Sequence, residues 1–135
     1  MVQPKALILR APGTNCDEET AYAFQLAGAE TELVHINELV FGRKSLSDSQ
    51  ILCIPGGFTY GDDISAGRIL ANEIRLKIGE KVHEFVSKGN LALGICNGLQ
   101  GMVKAGILPP LSEGNAQALT LAPNDSGKFE CRWSY

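Results

Sequence analysis

The sequence predicts an α/β fold, a doubly wound and mostly parallel sheet with helices packed on its faces. Three observations predict it. Short β-rich runs alternate with helical patterns along the chain, the arrangement that parallel strands require. One run, Ile51-Leu52-Cys53-Ile54, is apolar without a break, as suits a strand covered on both faces. The runs stop at abrupt turns, most clearly at Pro55-Gly56-Gly57, and a helical stretch then leads to the next strand.

The elements follow in order. Ala6-Leu7-Ile8-Leu9 reads as the first strand, and the loop Ala11-Pro12-Gly13-Thr14-Asn15-Cys16 leaves it. Asp17, Glu18 and Glu19 then place negative charge where a helix start favours it, and Ala21, Phe24 and Leu26 follow before Gly28 ends the helix. Glu32 to Ile36 reads as the second strand and Ile51 to Ile54 as the third. A long helical region carries Leu70, Ile74, Ile78, Val82 and Val86 at every fourth residue, with Lys77, Lys81 and Lys88 on other faces and Gly79 as a point of division. Leu91 to Ile95 forms the fourth strand and runs into Cys96. A short helix with Leu99, Met102 and Val103 ends at Gly106. Beyond Pro109-Pro110, Ala118 to Leu121 and Lys128 to Trp133 read as further strands.

The 135 residues hold 15 acidic against 12 basic side chains, a formal charge of −3, with 44% hydrophobic residues. Such a chain is expected to form one soluble domain of residues 1–135. No run of about 18 apolar residues suggests a membrane span, and the first residues do not resemble a signal peptide. A pI near 5.3 provides no basic stripe for nucleic acid. The expected setting is the cytoplasm. Cys16, Cys53, Cys96 and Cys131 form neither a Cys-x-x-Cys pair nor a Cys/His cluster, which argues against a disulfide framework and against a metal site.

The chemistry concentrates at Gly94-Ile95-Cys96-Asn97-Gly98, a cysteine at a strand-to-helix junction with glycine two residues away on either side. This is a nucleophile-elbow pattern, in which a sharp turn presents the nucleophile above the sheet and small neighbours relieve crowding. A helix N-terminus directly after it favours the thiolate. Cys96 is therefore the expected nucleophile, with the Asn97 backbone N–H as one oxyanion donor. In the strand order 2-1-3-4 the third and fourth strands are neighbours, which places Gly57 beside Cys96 as the second donor.

The remaining candidates read as structure. Cys53 lies in an apolar strand and reads as core, Cys131 reads as structural, and Cys16 reads as part of its loop. Asp62 and Asp63 could form a carboxylate pair, but they precede a helix and read as capping and solvated residues. A general base is not apparent. His35 falls three strand positions from the fourth strand, on the order of 14 Å away, and His83 falls towards the opposite edge of the sheet.

Three motifs, Pro55-Gly56-Gly57-Phe58-Thr59-Tyr60-Gly61-Asp62, Gly94-Ile95-Cys96-Asn97-Gly98-Leu99-Gln100 and Phe129-Glu130-Cys131-Arg132-Trp133, together resemble the class I glutamine amidotransferases, whose sheet is flavodoxin-like. Pro12-Gly13-Thr14-Asn15-Cys16-Asp17 narrows the resemblance to the glutaminase subunits of phosphoribosylformylglycinamidine synthases, in purine biosynthesis. The resemblance implies hydrolysis of glutamine through a thioester on Cys96, with Gly57 and Asn97 at the oxyanion and Gly56 and Gln100 at the substrate. It implies glutamine as ligand, a larger synthetase subunit that receives ammonia, and a small third subunit. It implies no cofactor in this subunit, ATP and Mg being used by the synthetase. The family completes its triad with a later His-x-Glu, so the sequence reads as the N-terminal portion of the domain. On that reading the chain alone turns over little glutamine and carries an exposed sheet edge or apolar patch that invites self-association. Two other readings are a PfpI-type cysteine hydrolase and a non-catalytic, partner-binding fragment.

Overall fold

A computed structural model describes residues 3–108 and 117–133. Four strands, β1 (Lys5–Arg10), β2 (Glu30–His35), β3 (Ile51–Ile54) and β4 (Leu91–Gly94), form one parallel sheet in the order β2-β1-β3-β4. The expected order is therefore present. Register is continuous across the sheet: Ile8 pairs with Leu33 on one side and Cys53 on the other, and Ile54 pairs with Gly94.

The pleat sends alternate residues of each strand to opposite faces, and the two faces are covered differently. Leu7, Leu9, Leu52 and Ile54 join the larger core with Leu70, Ile74, Ile78, Val82, Phe85 and Met102. The helices on that side are α2 (Ile36–Val40), α3 (Arg68–Glu73), α4 (Gly79–Ser87) and α5 (Asn97–Lys104). Ala6, Ile8 and Cys53 face the other way and pack with Ala21 of α1 (Asp17–Leu26). The start of α1 is fixed to the end of β1, where buried Asp17 meets the Arg10 guanidinium at 2.5 Å.

The apolar stripe from Leu70 to Val86 lies on the larger core, and its spacing has a structural cause. Successive fourth residues drift about 40° around a regular α-helix of 3.6 residues per turn. Between α3 and α4, residues Ile74–Ile78 adopt a wider π-helical turn, which absorbs part of that drift and keeps Leu70, Ile74, Ile78 and Val82 buried. The break falls at Gly79, as the sequence suggests, with Ile78 at φ −135°.

Three expectations need correction. Ala118 to Leu121 and Lys128 to Trp133 are not strands, and the described residues 117–133 contain no regular element. An alternating apolar run becomes a strand only against a partner, and here Leu119, Leu121, Phe129 and Trp133 (97% exposed) find none. Cys131, expected to be structural, is exposed for the same reason. The second strand also ends one residue early. Ile36 opens α2 instead, because the His35 imidazole accepts the Asn37 N–H at 3.2 Å and caps the helix.

β4 forms one edge of the sheet among the described residues, and α1 does not extend over its outer face. Leu91, Leu93 and Ile95 are exposed there, and Leu93 and Ile95 line a shallow apolar groove with Ala23 and Phe24 of α1. This is the expected apolar patch. No described helix is long and apolar enough to cross a membrane.

Two outcomes follow from this architecture. Burial pushes the Cys53 thiol up to about 11 from an ordinary 9.0. The unfolded chain ionises first as pH rises, so this contribution to stability is complete below pH 9 and is lost on approaching pH 11. Urea midpoints should fall between pH 8.5 and 10.5 more steeply for the unsubstituted chain than for Cys53→Ala. Separately, sedimentation velocity should show concentration-dependent association that Leu93→Lys reduces, since a charge blunts an exposed strand edge.

Candidate active site

The β3–β4 ladder extends one residue past β4, with the Ile95 N–H donating to the Ile54 carbonyl at 3.1 Å. The backbone then reverses. Cys96 sits at φ 50°, ψ −114°, and Asn97 begins α5. A non-glycine residue with that φ is sparsely populated and costs about 1–3 kcal/mol. The turn is closed by Gly98 N–H to the Ile95 carbonyl at 2.8 Å and Gln100 N–H to the Cys96 carbonyl at 3.0 Å. Cys96 itself is exposed.

The flanking glycines are required by contact with other backbone. A Cβ on Gly98 would lie 2.7 Å from the Ile54 carbonyl carbon and 2.8 Å from the Pro55 oxygen. A Cβ on Gly94 would lie 2.8 Å from the Leu99 nitrogen. The helix after the elbow can therefore sit tightly over the end of β3 only without those side chains.

The loop after β3 meets the elbow through Gly56. A Cβ there would stand 3.3 Å from the Cys96 Cβ. Gly57, one residue further on, adopts φ 96° and faces Asn15 in the loop after β1; a Cβ would stand 3.1 Å from the Asn15 nitrogen and would collide with its side chain. Tyr60 N–H donates to the Pro12 carbonyl at 2.7 Å, and the Thr14 and Thr59 hydroxyls share a hydrogen bond of 3.1 Å. The ends of three adjacent strands thus converge on one region. The contact between Gly57 and Asn15 escaped the sequence reading, because a side-chain amide in a loop carries no periodic signal.

Asn97 is 2% exposed. As the first residue of α5 it has no intrahelical acceptor for its backbone N–H, which leaves that donor for an anion at the elbow. Its side-chain Nδ2 donates to Asp62 Oδ1, which also accepts the Gly67 N–H at 3.1 Å. Gly67 is the N-cap residue of α3, and no side chain caps that helix, so Asp62 braces the turn before α3 and is not the helix cap that the sequence suggests. Its bond to Asn97 was not foreseen. Asp63 is exposed.

The remaining candidates occupy distinct places. Gln100 lies half-buried on α5, one turn beyond Cys96. Cys16 is half-buried at the N-cap of α1 and donates its S–H to Asn15 Oδ1 at 3.5 Å. His35 ends the far strand β2 and caps α2, while His83 lies on α4 beside Ile107. Neither histidine belongs to the elbow. Among the described residues, no group of three His, Cys, Asp or Glu side chains is placed to hold a metal ion.

Gly98→Ala should lower stability by about 2–3 kcal/mol, because the clash is with backbone that cannot yield. Gly101→Ala, in the same helix, meets only the Leu70 side chain at 3.1 Å and should change stability by less than about 1 kcal/mol. Urea midpoints of the two variants provide the comparison.

Comparison with known proteins agrees with this geometry. Residues 3–135 match the family model of the CobB/CobQ-like glutamine amidotransferase domain. The chain is 60% identical over 136 residues to phosphoribosylformylglycinamidine synthase subunit PurQ of Dehalococcoides mccartyi, covering 100% of this chain and 52% of that protein. It is 44% identical over 133 residues to the subunit of the same name from Methanococcus maripaludis, covering 98% of this chain and 49% of that one. The chain spans about half the length of the curated relatives it matches. Among solved structures it is similar to a chain of PurLQS from Thermotoga maritima, with a TM-score of 0.70 and 32% identity over 98% of this chain and 54% of that one. The reading as a PfpI-type hydrolase is not favoured by these matches. This chain belongs to the CobB/CobQ-like glutamine amidotransferase family, as a PurQ-like member.

Proposed function

We propose that this chain supplies the nucleophile and oxyanion site of a glutaminase whose ammonia serves phosphoribosylformylglycinamidine synthase. The observation that carries this reading is the elbow: Cys96 at a positive φ, exposed above the sheet, with α5 beginning at the next residue and Gly56 against its Cβ. In the proposed step the Cys96 thiolate attacks the side-chain amide carbon of glutamine. A C–S bond forms, and the carbonyl electron pair moves onto oxygen. The backbone N–H groups of Gly57 and Asn97 receive that oxyanion, an interaction worth roughly 10²–10³ in rate per donor. Collapse breaks the C–N bond, the nitrogen leaves as ammonia by taking up the proton that the thiol released, and water then hydrolyses the thioester to glutamate and free thiol. Gly56 borders the substrate and Gln100 contacts it.

The names of the relatives support the wider assignment. Two relatives are subunits of phosphoribosylformylglycinamidine synthase, and the similar solved chain comes from PurLQS. On this reading a larger synthetase subunit receives the ammonia and uses ATP and Mg, a small third subunit joins the assembly, and this subunit needs no cofactor. The proposed setting is the cytoplasm. Proton transfer needs a base, and His35 and His83 are placed elsewhere, so the 135 residues alone are expected to react with an electrophile but to turn over little glutamine.

A chloroketone analogue of glutamine tests the reading. Intact mass and peptide mapping should show one adduct, on Cys96, that glutamine suppresses and Cys96→Ser abolishes. Labelling spread over Cys96 and exposed Cys131, indifferent to glutamine, would sink it.

A further inference from the structure

We infer that Asp62 is a positioning residue for this reaction: through the Asn97 side chain it fixes the backbone N–H that receives the oxyanion. The inference rests on the glutaminase reading and adds to it a residue that does not touch the substrate.

One carboxylate oxygen, Asp62 Oδ1, receives both the Asn97 side-chain amide and the Gly67 N–H. The Asn97 amide oxygen is buried without a hydrogen-bond partner, so Asp62 provides the hydrogen bond that orients this side chain. The loop carrying Asp62 is itself under constraint. Tyr60, Asp62 and Ile64 all adopt positive φ, at 58°, 53° and 68°, a conformation that non-glycine residues keep only when their surroundings impose it.

Those surroundings are α5. A Cβ on Gly67 would lie 2.8 Å from the Gly101 nitrogen and 3.2 Å from the Asn97 carbonyl oxygen. At the far end of α5, Lys104 Nζ donates to the Ala66 carbonyl and, at 3.2 Å, to the Ser65 hydroxyl. The same loop begins at Gly56 and Gly57. One segment therefore contains the first oxyanion donor and grips the residue that bears the second. A displacement of the Asn97 amide group changes the separation of the two donors, on which stabilisation of the oxyanion depends.

The experiment is a double-mutant cycle on the 135-residue chain. For each variant, the rate of glutamine-suppressible alkylation of Cys96 by the chloroketone is divided by its rate with iodoacetamide, which needs no oxyanion donor. Asp62→Gly tolerates the positive φ but offers no acceptor, whereas Asp62→Asn keeps an acceptor oxygen and the same backbone tolerance. The expected ratio falls about tenfold or more in Asp62→Gly and in Asn97→Ala, and stays within about threefold in Asp62→Asn. The double variant Asp62→Gly/Asn97→Ala should be no worse than either single one, because both remove one interaction. An unchanged ratio in folded Asp62→Gly, or additive losses in the double variant, overturns the inference and leaves the glutaminase reading standing. If Asp62→Gly does not fold, Asn97→Ala decides alone, and an unchanged ratio there overturns the inference. An unsubstituted chain without glutamine-suppressible labelling overturns the glutaminase reading, and the inference with it.

Discussion

The site depends on a single backbone conformation, φ 50° and ψ −114° at Cys96, that an L-residue does not adopt by preference. Nothing in the cysteine favours it. It is imposed from both sides. The ladder holds Ile95 to Ile54, while α5, starting at Asn97, is drawn close over the end of β3 because Gly98 has no side chain to meet the Ile54 and Pro55 carbonyls. The cost of about 1–3 kcal/mol at one residue is offset by the apolar burial of Met102 and Val103, about 1.5–3 kcal/mol each, which docks α5 on the core. The stability of the helix thus sustains strain at its own first turn, and the exposed thiol is the result.

The same logic explains why the functional groups gather at one edge. Parallel strands all end on the same side, so the loops after β1, β3 and β4 converge although each is about forty residues from the next along the chain. Glycine marks each close approach. Gly13 lies under the Phe58 carbonyl, Gly57 against Asn15, and Gly56 against Cys96. A side chain at any of these would push one strand-end loop away from the next.

How much of this was legible in the sequence depends on whether a feature is local. The strand Ile51–Ile54 and the elbow are contiguous runs, and both appear where the residues suggest. The helical stripe was also readable, although the π turn that keeps it in line was not, since a change of helical pitch leaves no residue type behind. The short helix α2 was hidden because five residues are too few to show a period, and its cap is an imidazole instead of a hydroxyl or carboxylate. The strands expected near residues 118–121 and 128–133 failed for a different reason. Their apolar residues are real, but strand formation depends on a neighbouring edge, which a sequence window does not contain. Cys131 fails with them, because its burial depended on that pairing.

The Asp62–Asn97 contact is the clearest case of non-local information. The two residues are 35 positions apart, and each has an adequate local explanation, Asp62 as support for α3 and Asn97 as the residue after a nucleophile. Only the fold reveals that these roles are joined. Cys96, Asn97 and Gly57 lie at the ends of two adjacent strands, β3 and β4, and so are brought together by the sheet itself. A histidine base has no such local origin: the two in these 135 residues serve a helix cap on β2 and a position on α4. The packing that holds Gly56 against Cys96 and Asn97 against Asp62 is therefore complete without either histidine.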